Sequence, residues 1–483
     1  MLSIDVIKEL ENIVGAPFVS TAPEDLYIYS RDMTESEPGN PDAIVMPSSV
    51  EEVQKIMQLA NELKIPVVPY VSGANIGGLT IATKGGIILD LKRMKKVVKF
   101  DPENKYIVVE PGFTFGHMKK FLSDKDFIYS YAFSPPYTSV VANALLQGLT
   151  EYSLKYGCMA NWITGLEIVL PTGEIVQIGS HIISDKMWGK NPLPDMVGLI
   201  TGWQGTTGVV TKMGLKLLPK PPIKKLYGAV WNSIESAEEG LKFFTDSGIV
   251  LGEFSFSWEC ILMLSGAKYP LRKIREDEPK MLSGFILHAE NKKHLKIQEE
   301  ILREKLHELN EKYKRKIDNQ MLPVEIAVTK KIQKMLDLPS ALPPFMEFRT
   351  GIDGKKGTGM SWLGTYCPRS NWTKSYNKGY EIMKKHGFTP LIFVKVMDNG
   401  RYHVVRFLVP FNKNVEGEPE KVRNMLEELL EMTLDNEAIP YKMPSWAASK
   451  VIERADPEWV KTMKKIKKCI DPNGIMNPGR WQL

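Results

Sequence analysis

Seven consecutive residues, Ser72-Gly73-Ala74-Asn75-Ile76-Gly77-Gly78, carry the chain's most distinctive chemistry. Glycine accepts positive φ and bares its backbone, so successive N–H groups can converge on an anionic oxygen. Two familiar phosphate loops fail on spacing. A Rossmann turn must open a crossover helix, and a P-loop needs Gly-Lys-Ser/Thr. Here Leu79 to Gly86 runs straight into Ile87-Ile88-Leu89-Asp90-Leu91, which reads as another strand and leaves no room for that helix. Taken alone, such a loop is equally an ordinary surface turn. Two later segments share its character: Ser139 to Gly148, followed by Tyr156-Gly157, and Trp203 to Pro219, where a Gly/Thr loop ending at Gly208 enters a strand at Val209-Val210.

Around these segments stands an ordinary globular composition. The 483 residues suffice for two or three structural units. Cys158, Cys260, Cys367 and Cys469 lie far apart with no CxxC pair, which places any iron–sulfur cluster in a partner rather than in this chain. The net charge of +6 is spread out, which favours an anionic ligand or subunit without the footprint of a nucleic-acid binder. No apolar run reaches the roughly eighteen residues of a spanning helix. Asp5, Lys8, Glu9 and Glu11 make the first residues an amphipathic helix rather than a leader, so the cytoplasm is the expected compartment.

The elements that must position the loops are also legible. Ala43-Ile44-Val45-Met46 reads as a strand. Ser49 followed by Glu52 is a capping box opening a helix whose buried face is Val53, Ile56, Met57 and Ala60. Val97–Phe100 and Tyr106–Glu110 flank an Asp-Pro-Glu-Asn turn, and Gly165–Val176 contains a Pro-Thr-Gly turn, so both read as hairpins. Phe115–Leu122 and Ser370–His386 read as helices, as does Asn291–Lys314 with Leu302, Leu306, Leu309 and Tyr313 on one stripe. Leu391–Val396 and Tyr402–Val409 read as paired strands. Gly351–Gly357 reads as a flexible loop.

The ordered set Pro69–Gly78, Ile87–Leu91, Val108–Gly112, Gly165–Gly173, Gly208–Pro219 and Ile470–Gly479 resembles the FAD-binding (PCMH-type) vanillyl-alcohol oxidase / p-cresol methylhydroxylase flavoprotein family. That resemblance implies an α+β fold, with a two-subdomain FAD-binding domain over 1–222 and an α+β cap on an antiparallel sheet over 223–435. Residues 436–483 return to the first domain. FAD is the implied cofactor, its pyrophosphate along Ser72, Gly73, Ala74, Asn75, Ile76, Gly77 and Gly78, with Pro69, Ser139, Asn143, Gly148, Gly157, Gly208, Val209 and Val210 completing the site.

The resemblance also sets expectations for chemistry. The loop histidine that tethers flavin in one branch is missing. The second branch tethers through the strand holding His403, with Val404 as the alternative counterpart. Phenol-oxidising relatives use a loop tyrosine, an aspartate and a Tyr-Arg pair, where this sequence has Ile76, Ser134 and Tyr441-Lys442. At that position Tyr441-Lys442 offers a hydroxyl beside a cation for a carboxylate or an enolate-like oxygen, with a rim tyrosine and a solvated lysine as the equally open reading. In hydroxy-acid relatives a His-x-x-Asp-Gly-Asn-x-His motif holds a metal. Here Lys395 replaces the first histidine, so no metal is expected, and Lys395 and Arg406 either supply the charge or face water.

The expected catalytic residues are therefore Tyr441, Lys442, His403 and Arg406. The expected activity is oxidation of an alcohol or 2-hydroxy acid by hydride transfer to flavin N5, with electrons leaving to a protein or quinone acceptor. An aromatic-alcohol or alkylphenol oxidoreductase, and the flavin subunit of a multi-protein electron-transfer complex, stay open as alternatives. The expected partners are an anionic or aromatic small molecule and an iron–sulfur or other electron-transfer subunit, with a homodimer or larger complex as the assembly.

Overall fold

The computed structural model describes residues 2–74, 77–132, 134–264, 267, 271–313, 321–323 and 358–483. Asn75 and Ile76, and Gly351–Gly357, which the sequence reads as a loop, lie outside them.

Three sheets carry the architecture. In the first, β1 (Ala43–Val45), β2 (Val67–Tyr70) and β3 (Ile87–Asp90) run parallel with β3 in the centre, and Val19–Ser20 adds an antiparallel edge. Helix α1 (Val50–Leu63) links β1 to β2. Ser49 Oγ accepts the Glu52 N–H, while the Glu52 carboxylate reaches one residue further back than a capping box, to the Ser48 N–H at 2.7 Å. Val53, Ile56, Met57 and Ala60 are buried against the sheet as their spacing requires.

The second sheet is antiparallel, from β4 (Val97–Asp101), β5 (Tyr106–Val109), β6 (Ile163–Val169), β7 (Ile175–Gly179) and β8 (Val209–Lys216), in the order β4-β5-β8-β6-β7. Both expected hairpins, β4/β5 and β6/β7, are present. Helix α2 (Val140–Leu145) packs beside it, capped by Ser139.

The third sheet has eight antiparallel strands, including β9 (Ile223–Trp231), β10 (Gly252–Ser257), β11 (Met281–Ala289), β12 (Thr358–Pro368), β13 (Leu391–Met397) and β14 (Tyr402–Asn412). Its centre runs β9-β11-β10-β13-β14-β12, with Met321–Pro323 and Ile439–Pro440 at the edges. Helices α3 (Ile234–Asp246), α4 (Lys292–Tyr313), α5 (Trp372–Lys385) and α6 (Glu418–Asp435) cover one face and bury the largest core. The other face turns toward the first two sheets, and the chain is an α+β protein of this type.

Candidate functional site

Parallel strands bind ligands beyond their carboxyl ends, and the glycine loop leaves β2 at that end. Gly73 and Gly78 take φ of 59° and 65°, which L side chains rarely adopt. Among the described residues, no acceptor takes the N–H groups of Gly73 and Ala74. The loop is fixed from outside. Asp32 accepts the Gly78 N–H at 2.8 Å. Arg480 donates to the carbonyls of Gly78 (2.5 Å) and Ile81 (3.1 Å), and Asn477 to those of Leu79 and Gln204. Val67 N–H to Ile475 and Asn477 N–H to Val67 complete a strap by which the late segment holds the early one.

Beyond the loop lies a cavity of about 640 Å³. On one side it is lined by Pro69, Ser72, Gly73, Ala74, Asn143, Gly208, Val209 and Val210, all expected from the sequence. Gly77 and Gly78 are not among the lining residues. Ser139 supports it, its N–H donating to Ser72 Oγ at 3.3 Å and its hydroxyl to the Pro111 carbonyl. Gly148 lies directly under the Asn143 side chain, so a Cβ there would collide with the Asn143 amide. Gly157 is a correction: it ends a short helix at φ 71° against Asn161 and does not line the cavity.

The opposite wall is the third sheet. Phe393 of β13 pairs across to Phe256 of β10 on one side and Arg406 of β14 on the other, and Arg406 pairs with Gly364 of β12. The glycine has a function here. A Cβ at 364 would stand 2.6 Å from Tyr441 Cε1, so its absence lets the Tyr441 ring lie over the sheet, where its hydroxyl accepts from Arg406. Gly364→Ala should push the ring off, cost about 1–3 kcal/mol as overpacking does, and lower the melting temperature.

Charge is concentrated at this wall. Arg406 lies 3.6 Å above the Trp362 ring, and Lys442 donates to Asn143 Oδ1 at 2.9 Å from a left-handed backbone at φ 48°. Burial, with the Arg406 charge adding to it, pushes the Lys442 ammonium down to about 7. Lys395 is 3% exposed and donates to the carbonyls of Glu253 and Glu151. Burial brings it down to about 8, against the attraction of Glu253. The reading of Lys395 as a strand residue facing water is therefore corrected. Glu151 is the one carboxylate among the described lining residues, and it is ion-paired to Lys224 at 2.7 Å.

His403 is the second correction. It lies three residues from Arg406 on one strand, so it points to the opposite face, where its ring stacks on Trp372 at 5.2 Å among the helices. Burial drives its pKa down to about 3, so it is neutral. It does not line the cavity, whereas Val404 shares the Arg406 face. Sequence reasoning missed Glu151, Gln204, Phe254, Phe256, Phe393 and Trp362, which belong to no local motif.

Five lining residues carry a buried polar atom without a partner: Ser134 Oγ, Thr138 Oγ1, Asn143 Nδ2, Glu151 Oε1 and Arg406 Nε. Buried polar groups are normally satisfied, so this set is arranged for a ligand. Hydroxyl, amide and bare backbone donors, with one acceptor, fit the pyrophosphate and polar ring edge of FAD. Among the described residues, no group of three or more His, Cys, Asp or Glu is placed to hold a metal.

Comparison with known proteins agrees. The family profile for the FAD binding domain matches residues 41–179, and that for the C-terminal domain of FAD linked oxidases matches 448–481. Glycolate oxidase subunit GlcD of Bacillus subtilis is 30% identical over 53% of this chain and 54% of its own length, so that match spans about half of the relative. The 4-cresol dehydrogenase [hydroxylating] flavoprotein subunit of Pseudomonas putida is 25% identical over 98% of this chain and 94% of its own. The crystal structure of p-cresol methylhydroxylase with substrate bound superposes with a TM-score of 0.85 at 22% identity, over 99% of this chain and 96% of that one, which shows a shared fold. With a glycine loop, a strap and a cap wall enclosing the cavity, residues 41–179 and 448–481 belong to the FAD binding domain and FAD linked oxidase C-terminal domain families, and the chain as a whole has the fold of the p-cresol methylhydroxylase flavoprotein.

Proposed function

We propose that this chain is an FAD-dependent dehydrogenase that oxidises an alcohol or 2-hydroxy acid and passes the electrons to a protein or quinone acceptor. Residues 1–222 and 436–483 would hold the cofactor and 223–435 the substrate. The observation that carries the reading is the charge at the cavity, where Lys395 and Arg406 of the cap wall and Lys442 from the returning segment converge on a space whose one described carboxylate is already paired. Relatives named glycolate oxidase subunit, D-lactate dehydrogenase and D-2-hydroxyglutarate dehydrogenase support the substrate class.

Bound FAD supplies a two-electron hydride acceptor at flavin N5. The chain's own residues do the rest. Arg406, held flat on Trp362 and tied to Tyr441, presents a planar fork to the substrate's carboxylate. Lys442, depressed toward neutrality and oriented by Asn143, accepts the hydroxyl proton as the hydride leaves the same carbon. The carbonyl product keeps the carboxylate.

Bleaching of the oxidised flavin band by 2-hydroxy acids under anaerobic conditions tests this. Bleaching by alkylphenols alone would favour the second reading, an aromatic-alcohol or alkylphenol oxidoreductase, which the Tyr441–Arg406 pair supports. No bleaching by either would favour a flavin subunit of an electron-transfer complex, as the names of several relatives suggest.

The flavin is held without a covalent bond in this reading. The seven histidines and four cysteines are all described, and none lines the cavity. Acid precipitation should therefore release all the flavin into the supernatant; a yellow pellet would show a tether. Among the described residues, no helix is long and apolar enough to cross a membrane. The four cysteines are free thiols, which fits the reducing cytoplasm.

A further inference from the structure

We infer that the substrate is a 2-hydroxy acid with an aromatic or comparably bulky apolar side chain, its carboxylate held by Arg406 and its body lying along Phe393, Phe256 and Phe254. The inference rests on the dehydrogenase reading above and goes further, to the size and polarity of the molecule oxidised.

Three rings form a ladder that ends at the guanidinium. Phe254 and Phe256 have centroids 5.8 Å apart, Phe256 and Phe393 5.1 Å, and the Arg406 guanidinium lies 5.2 Å from the Phe393 centroid. All four side chains line the cavity. A ligand whose carboxylate meets Arg406 therefore has an apolar wall beside it, one ring's width per step. Glycolate or lactate would cover none of that wall. An aryl group matches ring faces in the tilted and edge-on arrangements already present there.

The polar end argues for a carboxylate over a phenol. Among the described residues, the hydrogen-bond partner of Arg406 is the Tyr441 hydroxyl, and Nε has none. A guanidinium carries five N–H donors in a fork that a carboxylate satisfies two at a time. A neutral phenol offers one oxygen and leaves an enclosed cation uncompensated. Oxidation balances simply: the α-carbon loses a hydride to bound FAD, the hydroxyl loses its proton to Lys442, and a 2-oxo acid results.

Calorimetric titration of the FAD-loaded protein with non-oxidisable analogues tests the inference apart from turnover. We expect 3-phenylpropanoate to bind about 100-fold tighter than propanoate, as burial of a phenyl group implies, and about 10-fold tighter than 4-tert-butylphenol, which has no benzylic hydrogen to lose, as a charge-assisted pair implies. Arg406→Met should erase the preference over 4-tert-butylphenol while the wild-type ligand comparison stands whether or not the variant folds. Equal binding of propanoate, or tighter binding of 4-tert-butylphenol, overturns the inference. Failure of the dehydrogenase reading looks different: no 2-hydroxy acid of any size would bleach the flavin.

Discussion

Lys442→Met should lower kcat/KM for a 2-hydroxy acid by about 10²–10⁴-fold, the usual contribution of a positioned base, and at the same time raise the melting temperature at neutral pH. The two effects have one cause. The lysine is enclosed beside Arg406, and burial depresses it from 10.5 to about 7. Below that pH the folded protein holds an ammonium it solvates poorly. Between about 7 and 10.5 the unfolded chain still binds the proton that the folded chain has released, so stability rises with pH across that window. Methionine removes the penalty and flattens the slope. In the wild type, kcat/KM reports the free enzyme and should climb with pH to a plateau above about 7. A K442M enzyme with an unchanged profile would assign the base elsewhere.

The second large effect concerns the strap. Arg480 is 2% exposed, and its guanidinium holds the carbonyls of Gly78 and Ile81 and the Ser445 hydroxyl. Arg480→Met strands those acceptors in the interior at about 1–3 kcal/mol each, so a loss of about 2–5 kcal/mol is expected. It also removes the cation facing Asp32, the residue that fixes the Gly78 N–H. FAD affinity of the apoprotein, read by quenching of flavin fluorescence, should fall at least about 10-fold, since preorganised N–H groups are what the loop offers an anion. Arg480→Lys keeps charge but loses the fork and should fall between. A destabilised variant with wild-type FAD affinity would separate the strap from the cofactor site.

Some of this site was readable from residue order and some was not. The glycine loop, Asn143 and Gly208–Val210 are contiguous signals whose backbone needs are local, and they appear together on the cavity wall. Helix α1 followed because its apolar spacing fits one period. The cap wall was harder. Strands β10 and β13 are buried on both faces, so apolar alternation could not say which side chains meet the ligand. Phe256 becomes a neighbour of Phe393 and Arg406 only through strand pairing across more than a hundred residues. The histidine error was avoidable: positions 403 and 406 differ by an odd number, so a strand cannot aim both at one ligand.

The strap closes a loop across 402 residues. At about 5–20 residues per second, a ribosome needs some tens of seconds to travel from Gly78 to Arg480. Throughout that interval the nascent chain carries a glycine turn without its clasp. Cofactor capture is then a late event in biosynthesis, and a message truncated near its 3′ end would yield a polypeptide with every glycine of the loop and no means of keeping a nucleotide.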